Sequence, residues 1–198
     1  MTAVELTIDI RSYWHAGGGR GAGAVLDAVV HRDPDGLPVL PGRHLKGLLR
    51  DALRRAEAWG WEGFDAGITR RFFGGLVETD GTFYSEPGIL RVSDATLPAP
   101  LARWLAGPGR EYQPALFRGL YATAVEHESG TARDKTLRGV EVTVPLALTA
   151  RIEPIPGRAP PDGWPRLIER ILPLVEAVGA HRSRGLGRAV LRLAEVNP

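Results

Sequence analysis

The order in which two periodicities alternate along the chain constrains its fold more than any other feature. Val4, Leu6, Ile8 and Ile10 share one face at a period of two, so residues 4 to 11 are a half-buried strand. Residues 43 to 59 then switch to three- and four-residue steps through Leu45, Leu48, Leu49, Leu53 and Ala56. That is an amphipathic helix whose apolar stripe needs a surface to cover it. Ile89 to Val92 is a short strand ending in Ser-Asp-Ala. Leu120 to Glu126 and Val140 to Ile152 are β-rich runs, and the charged stretch between them reads as a hairpin tip. Leu167 to Val178 returns to a helical period, bent or started near Pro173, and Ala189 to Leu193 alternates again. Strand, helix, strand, hairpin, helix, strand is the order of an α+β, ferredoxin-like (RRM-like) core with insertions. The expectation is one domain over residues 1–198, with residues 98–152 as an insertion that includes the hairpin.

Turn residues punctuate this order. Residues 15 to 25, HAGGGRGAGAV, hold five glycines, a density that permits positive φ and close approach of a ligand to the backbone. DPDG at 33 to 36 is a turn, Leu37 to Leu40 is extended, and Pro41-Gly42 ends it. Residues 67 to 88 read as irregular, and 98 to 119 as a loop rich in proline and glycine. Residues 156 to 165 are a further loop. GAHRSRGLGR, residues 179 to 188, is a glycine-rich turn before the last strand.

Charge and composition narrow the function classes. No cysteine is present, which excludes a disulfide framework and thiolate metal sites. His15, His31, His44, His127 and His181 are scattered, with no pair on one helical face, so no resident metal is expected. No apolar run approaches the roughly 20 residues of a membrane helix, and the N-terminus lacks the pattern of a secretory signal. The expected location is cytoplasmic, with no membrane partner. Net charge is only +2, but Lys46 and Lys135 are the sole lysines, so the basic side is almost entirely arginine. Arginine pairs with phosphate through two parallel donors and stacks on bases.

Four segments resemble one family. GLPVLPGRHLKGLLRDAL, residues 36 to 53, is similar to a RAMP superfamily motif in which a Pro-Gly turn leads into a helix through Leu-Lys-Gly. RFFGGLVETDGTFYSEPGILRVSDATL, residues 71 to 97, resembles the family's Phe-Gly segment and a strand ending in Ser-Asp-Ala. SGTARDKTLRGVEVTVP, residues 129 to 145, looks like the thumb hairpin with its closing Glu, and residues 179 to 193 look like the C-terminal glycine-rich loop. RAMP proteins build CRISPR effector complexes around a guide RNA. GAVLDAVVHRDPDGLPVLPG, residues 23 to 42, most resembles the backbone subunit of type III complexes. There an Asp after the Gly-rich loop is required for cutting target RNA, and Asp27 matches it. The Ser-Ser that leads the helix in many members is Arg43-His44 here.

The resemblance implies a guide-RNA-binding backbone subunit, associating head to tail and with other effector subunits, that cleaves guide-paired target RNA through Asp27. Mg²⁺ is the metal implied for that cleavage, with none tightly bound in the free protein. The RNA-binding candidates are His15 and Arg20 in the first glycine-rich loop and Arg43, Lys46 and Arg50 on the helix. Arg133, Lys135 and Arg138 follow on the thumb, and Arg182, Arg184 and Arg188 in the last loop. Lys46 lies near the positive end of a helix dipole, which favours phosphate. Asp27 interrupts an apolar stretch, so its carboxylate is either paired or exposed to a ligand. Trp14, beside the first glycine-rich loop, reads as core rather than as a stacking platform. Two rivals stand: a RAMP assembly subunit without catalysis, and a metal-independent guide-processing endoribonuclease using His15, His31 or His44 as acid or base.

Overall fold

The computed structural model describes residues 3–19, 21, 26–133 and 136–195. Strand β1, Val4–Ile10, buries its even-numbered side chains, as the alternation requires. Helix α1, Gly42–Ala58, buries Leu45, Leu48, Leu49, Ala52, Leu53 and Ala56 along one stripe. A short helix α2, Ile68–Phe73, is followed by a two-stranded hairpin of β2, Gly75–Thr79, and β3, Thr82–Glu86. Strand β4 is Leu90–Val92, and helix α3 is Ala99–Ala106, leading into a 3₁₀ helix over Arg110–Leu116. Strands β5, Phe117–Ala122, and β6, Arg138–Thr143, pair as an antiparallel ribbon. Strand β7 is Ala147–Pro154, helix α4 is Trp164–Ile171, and β8 is Ala189–Glu195.

Four strands form the main sheet in the order β4-β7-β1-β8, every pair antiparallel. Helix α1 lies in the chain between β1 and β4, and α4 between β7 and β8. One face of the sheet, with Leu6, Ile8, Leu148 and Ile152, joins the buried residues of both helices in a single core. The other face is polar: Thr7 lies opposite Thr149 and Arg192, and Glu5 opposite Arg151. Burying each large side chain of the α1 stripe is worth about 1.5–3 kcal/mol, which is what docks the helix.

The close fit of α1 has a backbone reason. A Cβ at Gly42 would lie 2.5 Å from the Val92 carbonyl oxygen and 2.6 Å from Ser93, so only glycine lets the helix start against the end of β4. Pro41 occupies the cap position and offers no side-chain cap. Asp94 Oδ1 accepts the Gly42 N–H at 2.7 Å instead, satisfying one of the donors that a helix start leaves open.

Several expected elements change. Residues 67 to 88, expected to be irregular, hold α2 and the β2–β3 hairpin. Residues 98 to 119, expected to be a loop, hold α3 and the 3₁₀ helix, because Pro98 and the following residues give a proline-started helix rather than a breaker. Val140 to Ile152, read as one run, is two strands in two sheets separated at Val144-Pro145-Leu146. The insertion boundary at 152 therefore falls inside β7, a central strand of the main sheet.

Candidate nucleic-acid interface

The glycine-rich turn at 179 to 188 is held rigidly against the start of the chain. Gly187, at φ 72°, sits so close to Val178 that a Cβ would lie 1.8 Å from its carbonyl oxygen. Gly179, at φ 80°, would place a Cβ 2.5 Å from the His15 carbonyl oxygen. Backbone bonds run from Ala180 N–H to the His15 carbonyl and from Gly187 N–H to the Tyr13 carbonyl, each at 2.7 Å. The Ser12 hydroxyl accepts the Arg188 N–H at 2.9 Å and donates to the Gly185 carbonyl at 3.2 Å. This stitching leaves Arg182, Arg184 and Arg188 exposed. Arg182 and Arg188, with Arg11, line a groove of about 840 Å³ between this turn and the segment after α4.

The start of α1 meets the same turn. His44 Nε2 accepts the Gly179 N–H at 2.8 Å. The imidazole therefore has to be neutral. Burial lowers its pKa below 6.5, and the nearby Arg182 guanidinium lowers it further. Arg43, Lys46 and Arg50 lie at helical spacing on the side of α1 away from the buried stripe; Arg43 and Arg50 are exposed and Lys46 is half-buried.

Strand β6 of the β5–β6 hairpin closes the arrangement. Asp27 is exposed, its N–H bonds the Gly139 carbonyl at 2.8 Å, and its Oδ2 accepts the Gly139 N–H at 2.9 Å. Glu141, two residues on, accepts the Val30 N–H at 3.1 Å and pairs with Arg32 at 2.6 Å. Its carbonyl bonds His15 Nδ1 at 2.6 Å. One continuous set of hydrogen bonds thus joins Asp27, strand β6, His15, the 179–188 turn and the start of α1.

His15 is buried at 4% exposure and serves this network rather than the surface. Trp14 is fully buried, its Nε1 donating to the Val144 carbonyl at 3.1 Å, in keeping with core packing. Arg133 and Arg138 are exposed on the hairpin, Arg138 opposite Ala122 at the tip-facing end of the ladder and Arg133 near the tip. Arg20 and Lys135 lie outside the described residues. Sequence reasoning missed the roles of Ser12, His44 and Asp94 as fasteners. Their partners lie 176, 135 and 52 residues away respectively, and no local pattern announces such contacts.

Three comparisons bear on this arrangement. The family model of the RAMP superfamily matches residues 7–190. A chain of the solved type III-B Cmr-beta complex bound to cognate target RNA is similar at a TM-score of 0.71 and 11% identity, covering 96% of each chain. A chain of the same kind of complex in its apo state is similar at 0.69 and 12% identity, covering 97% of each. Comparison with curated proteins finds no significant sequence match.

Proposed function

The chain belongs to the RAMP superfamily, and from that premise we propose that it is a cytoplasmic guide-RNA-binding subunit of a type III CRISPR effector complex. In this reading it coats guide RNA as a backbone subunit, associates head to tail with its copies and with other effector subunits, and cuts guide-paired target RNA through Asp27. The observation that carries the reading is the hydrogen-bonded junction of Asp27, strand β6, the 179–188 turn and the start of α1. Three of the segments that separately resemble the family, residues 36–53, 129–145 and 179–193, are fastened together here with Asp27. The neighbours in type III-B complexes, one of them bound to target RNA, support RNA and effector subunits as partners. The strand order β4-β7-β1-β8, with α1 and α4 as connections, supports the ferredoxin-like description of the core.

The chemistry follows from the exposed groups. Arg182, Arg184 and Arg188 take phosphates from a rigid turn, and Arg43, Lys46 and Arg50 extend the basic strip along α1. Such contacts grip the backbone of any RNA sequence, as a guide-coating subunit requires. At Asp27, Oδ2 is occupied by the Gly139 N–H, and Oδ1 has no hydrogen bond among the described residues. A carboxylate so placed can orient or accept the proton of a 2′-hydroxyl. The donor set also suits Mg²⁺, which binds through one or two carboxylates together with substrate phosphates rather than in an all-protein cage. Asp27 would be its protein ligand, and the metal would stabilise charge on the scissile phosphate.

The test is fluorescence anisotropy of labelled guide RNA with the purified chain and with the assembled complex. The expected affinity is sequence-tolerant and falls steeply with salt. Absence of RNA binding at low salt in both preparations overturns the reading.

A further inference from the structure

The hairpin of β2 and β3 shares no strand with the main sheet or with the β5–β6 ribbon; its two strands pair only with each other among the described residues. Its charge is also of the opposite sign to the chain's. Residues 75–86 hold three carboxylates, Glu78, Asp80 and Glu86, and no basic side chain, on a chain of net charge +2. Glu86 pairs with Arg70 at 3.4 Å. Glu78 and Asp80 have no basic partner among the described residues.

The arm is held stiffly at both ends. Thr79 pairs with Thr82, which leaves Asp80-Gly81 as a two-residue turn. Both have positive φ, 53° and 75°, as a tight type I′ hairpin turn requires. At the base, a Cβ on Gly74 would lie 2.6 Å from the Glu86 carbonyl oxygen, and one on Gly88 would lie 2.5 Å from the Gly74 nitrogen. The two chain ends therefore pass backbone against backbone. The Ile89 N–H bonds the Arg71 carbonyl beside them at 3.0 Å.

Between these ends the ribbon is apolar on both faces. The register puts Leu76 and Phe83 on one face with Glu78, and Val77 and Tyr84 on the other with Glu86. Leu76, Phe83 and Tyr84 are exposed. A two-stranded ribbon is marginal in water unless a face is covered. Here the large side chains forgo the stabilisation that burial would give them, and both strand edges stay open.

We propose that this arm is a protein-docking element, inserted into an apolar groove edged by Lys and Arg on a different protein chain of the assembly. Apolar groups on both faces suit a groove rather than a flat surface. The carboxylates of Glu78 and Asp80 select basic residues at the groove's edge and repel RNA phosphates, so the occupant is a protein. This chain's own arginine-edged groove, beside the 179–188 turn, is assigned to phosphates in the reading above, which leaves another chain as the host. A stiff arm loses little conformational freedom on docking, so a few apolar anchors suffice. The inference rests on the reading of the chain as an effector subunit and adds the surface by which it holds a protein neighbour.

The experiment uses the purified assembled complex, with p-benzoylphenylalanine in place of Phe83. Irradiation should give a cross-link to a different protein subunit, mapped by mass spectrometry to a segment carrying Lys or Arg. Native mass spectrometry then measures how much of that subunit the complex retains. Leu76→Ser combined with Phe83→Ser should lower retention by about tenfold or more, as loss of two anchors does. Both side chains lie outside the core, so the double variant should keep the wild-type melting curve and RNA affinity. Glu78→Lys leaves the apolar groups in place and should weaken retention most at low salt. Cross-links to RNA or to a second copy of this chain, or no cross-link to protein, overturn the proposal. Unchanged retention in both variants, or lowered RNA affinity in the double variant, overturns it too. RNA binding without the cross-link sinks the arm alone, whereas a wild-type chain that neither binds RNA nor enters a complex overturns the effector reading as well.

Discussion

His44 Nε2 accepts the backbone N–H of Gly179 at 2.8 Å, joining the first turn of α1 to the glycine-rich turn across 135 residues of chain. The bond exists only while the imidazole is neutral. Burial and then the Arg182 charge lower the His44 pKa in the fold. In the window below 6.5 and above that lowered value, the unfolded chain binds a proton that the folded chain does not. The stabilisation is therefore complete above the unfolded value and is lost as pH falls through the folded one. Urea midpoints at about pH 7.5 and about pH 5.5 should show wild type losing stability on acidification. His44→Gln keeps an acceptor without titrating and should show a flatter dependence; equal slopes for the two proteins would rule out His44 as the cause.

The turn itself should resist substitution at one glycine and tolerate it better at another. Gly187 and Gly185 both have positive φ, 72° and 84°. A Cβ at Gly187 would overlap the Val178 carbonyl at 1.8 Å, whereas none of the surroundings comes within 4 Å at Gly185. Gly185→Ala should cost about 1–2 kcal/mol, the left-handed penalty alone. Gly187→Ala should cost about 3 kcal/mol or more, because backbone must also move. Denaturant unfolding of the two variants separates the terms, and equal losses would contradict the geometry.

How much of this was legible in the sequence depends on the range of each interaction. Strand β1 and helix α1 stand out because burial on one face forces a period on consecutive side chains. The β2–β3 hairpin hid because it is exposed almost throughout: Leu76, Phe83 and Tyr84 are 68%, 65% and 58% exposed, so no period-two burial marked it. The periodicity predicts a helix over Leu167 to Val178, bent or started near Pro173, and α4 is shorter. It ends at Ile171, and a 3₁₀ turn follows over Leu172–Leu174, where Pro173 lacks the N–H that would continue the helix. In the candidate site the arginines of 179 to 188 could be marked from composition. The fasteners Ser12, His44 and Asp94 could not, since each acts through a backbone group far along the chain.

Asp94 makes the third prediction. Its carboxylate is the cap that Pro41 cannot provide for α1. Asp94→Ala should destabilise the protein by about 1 kcal/mol, and Asp94→Asn, which keeps an acceptor, by less. Amide hydrogen exchange at Gly42 and its neighbours should accelerate in the alanine variant. Unchanged exchange there would mean that the cap contributes nothing.

The arginines of the glycine-rich turn should report phosphate contact through salt. Arg182 and Arg184 are exposed and have no acidic partner among the described residues. Replacing both with serine should weaken RNA binding for every sequence tested. The slope of log affinity against log salt should fall by about one per lost contact. A changed sequence preference with an unchanged slope would point to base contacts instead.

Asp27 supports the sharpest discrimination between a cutting subunit and a binding one. Its two oxygens differ: Oδ2 holds the Gly139 N–H, while Oδ1 has no hydrogen bond among the described residues. Asp27→Asn can keep the tether to Gly139 but removes the charge, whereas Asp27→Ala removes both. If the carboxylate works on the RNA, both variants should assemble and bind target normally in the complex yet lose cleavage, by about a hundredfold or more. If it only anchors strand β6, Asn should cut like wild type and Ala should lose thermal stability first. Cleavage of labelled target RNA by the assembled complex, run with Mg²⁺ and with EDTA beside a melting curve for each variant, separates the two. Regularly spaced cuts that vanish in both variants and in EDTA are the expected outcome, and cutting by the Asn variant at the wild-type rate would remove Asp27 from the chemistry.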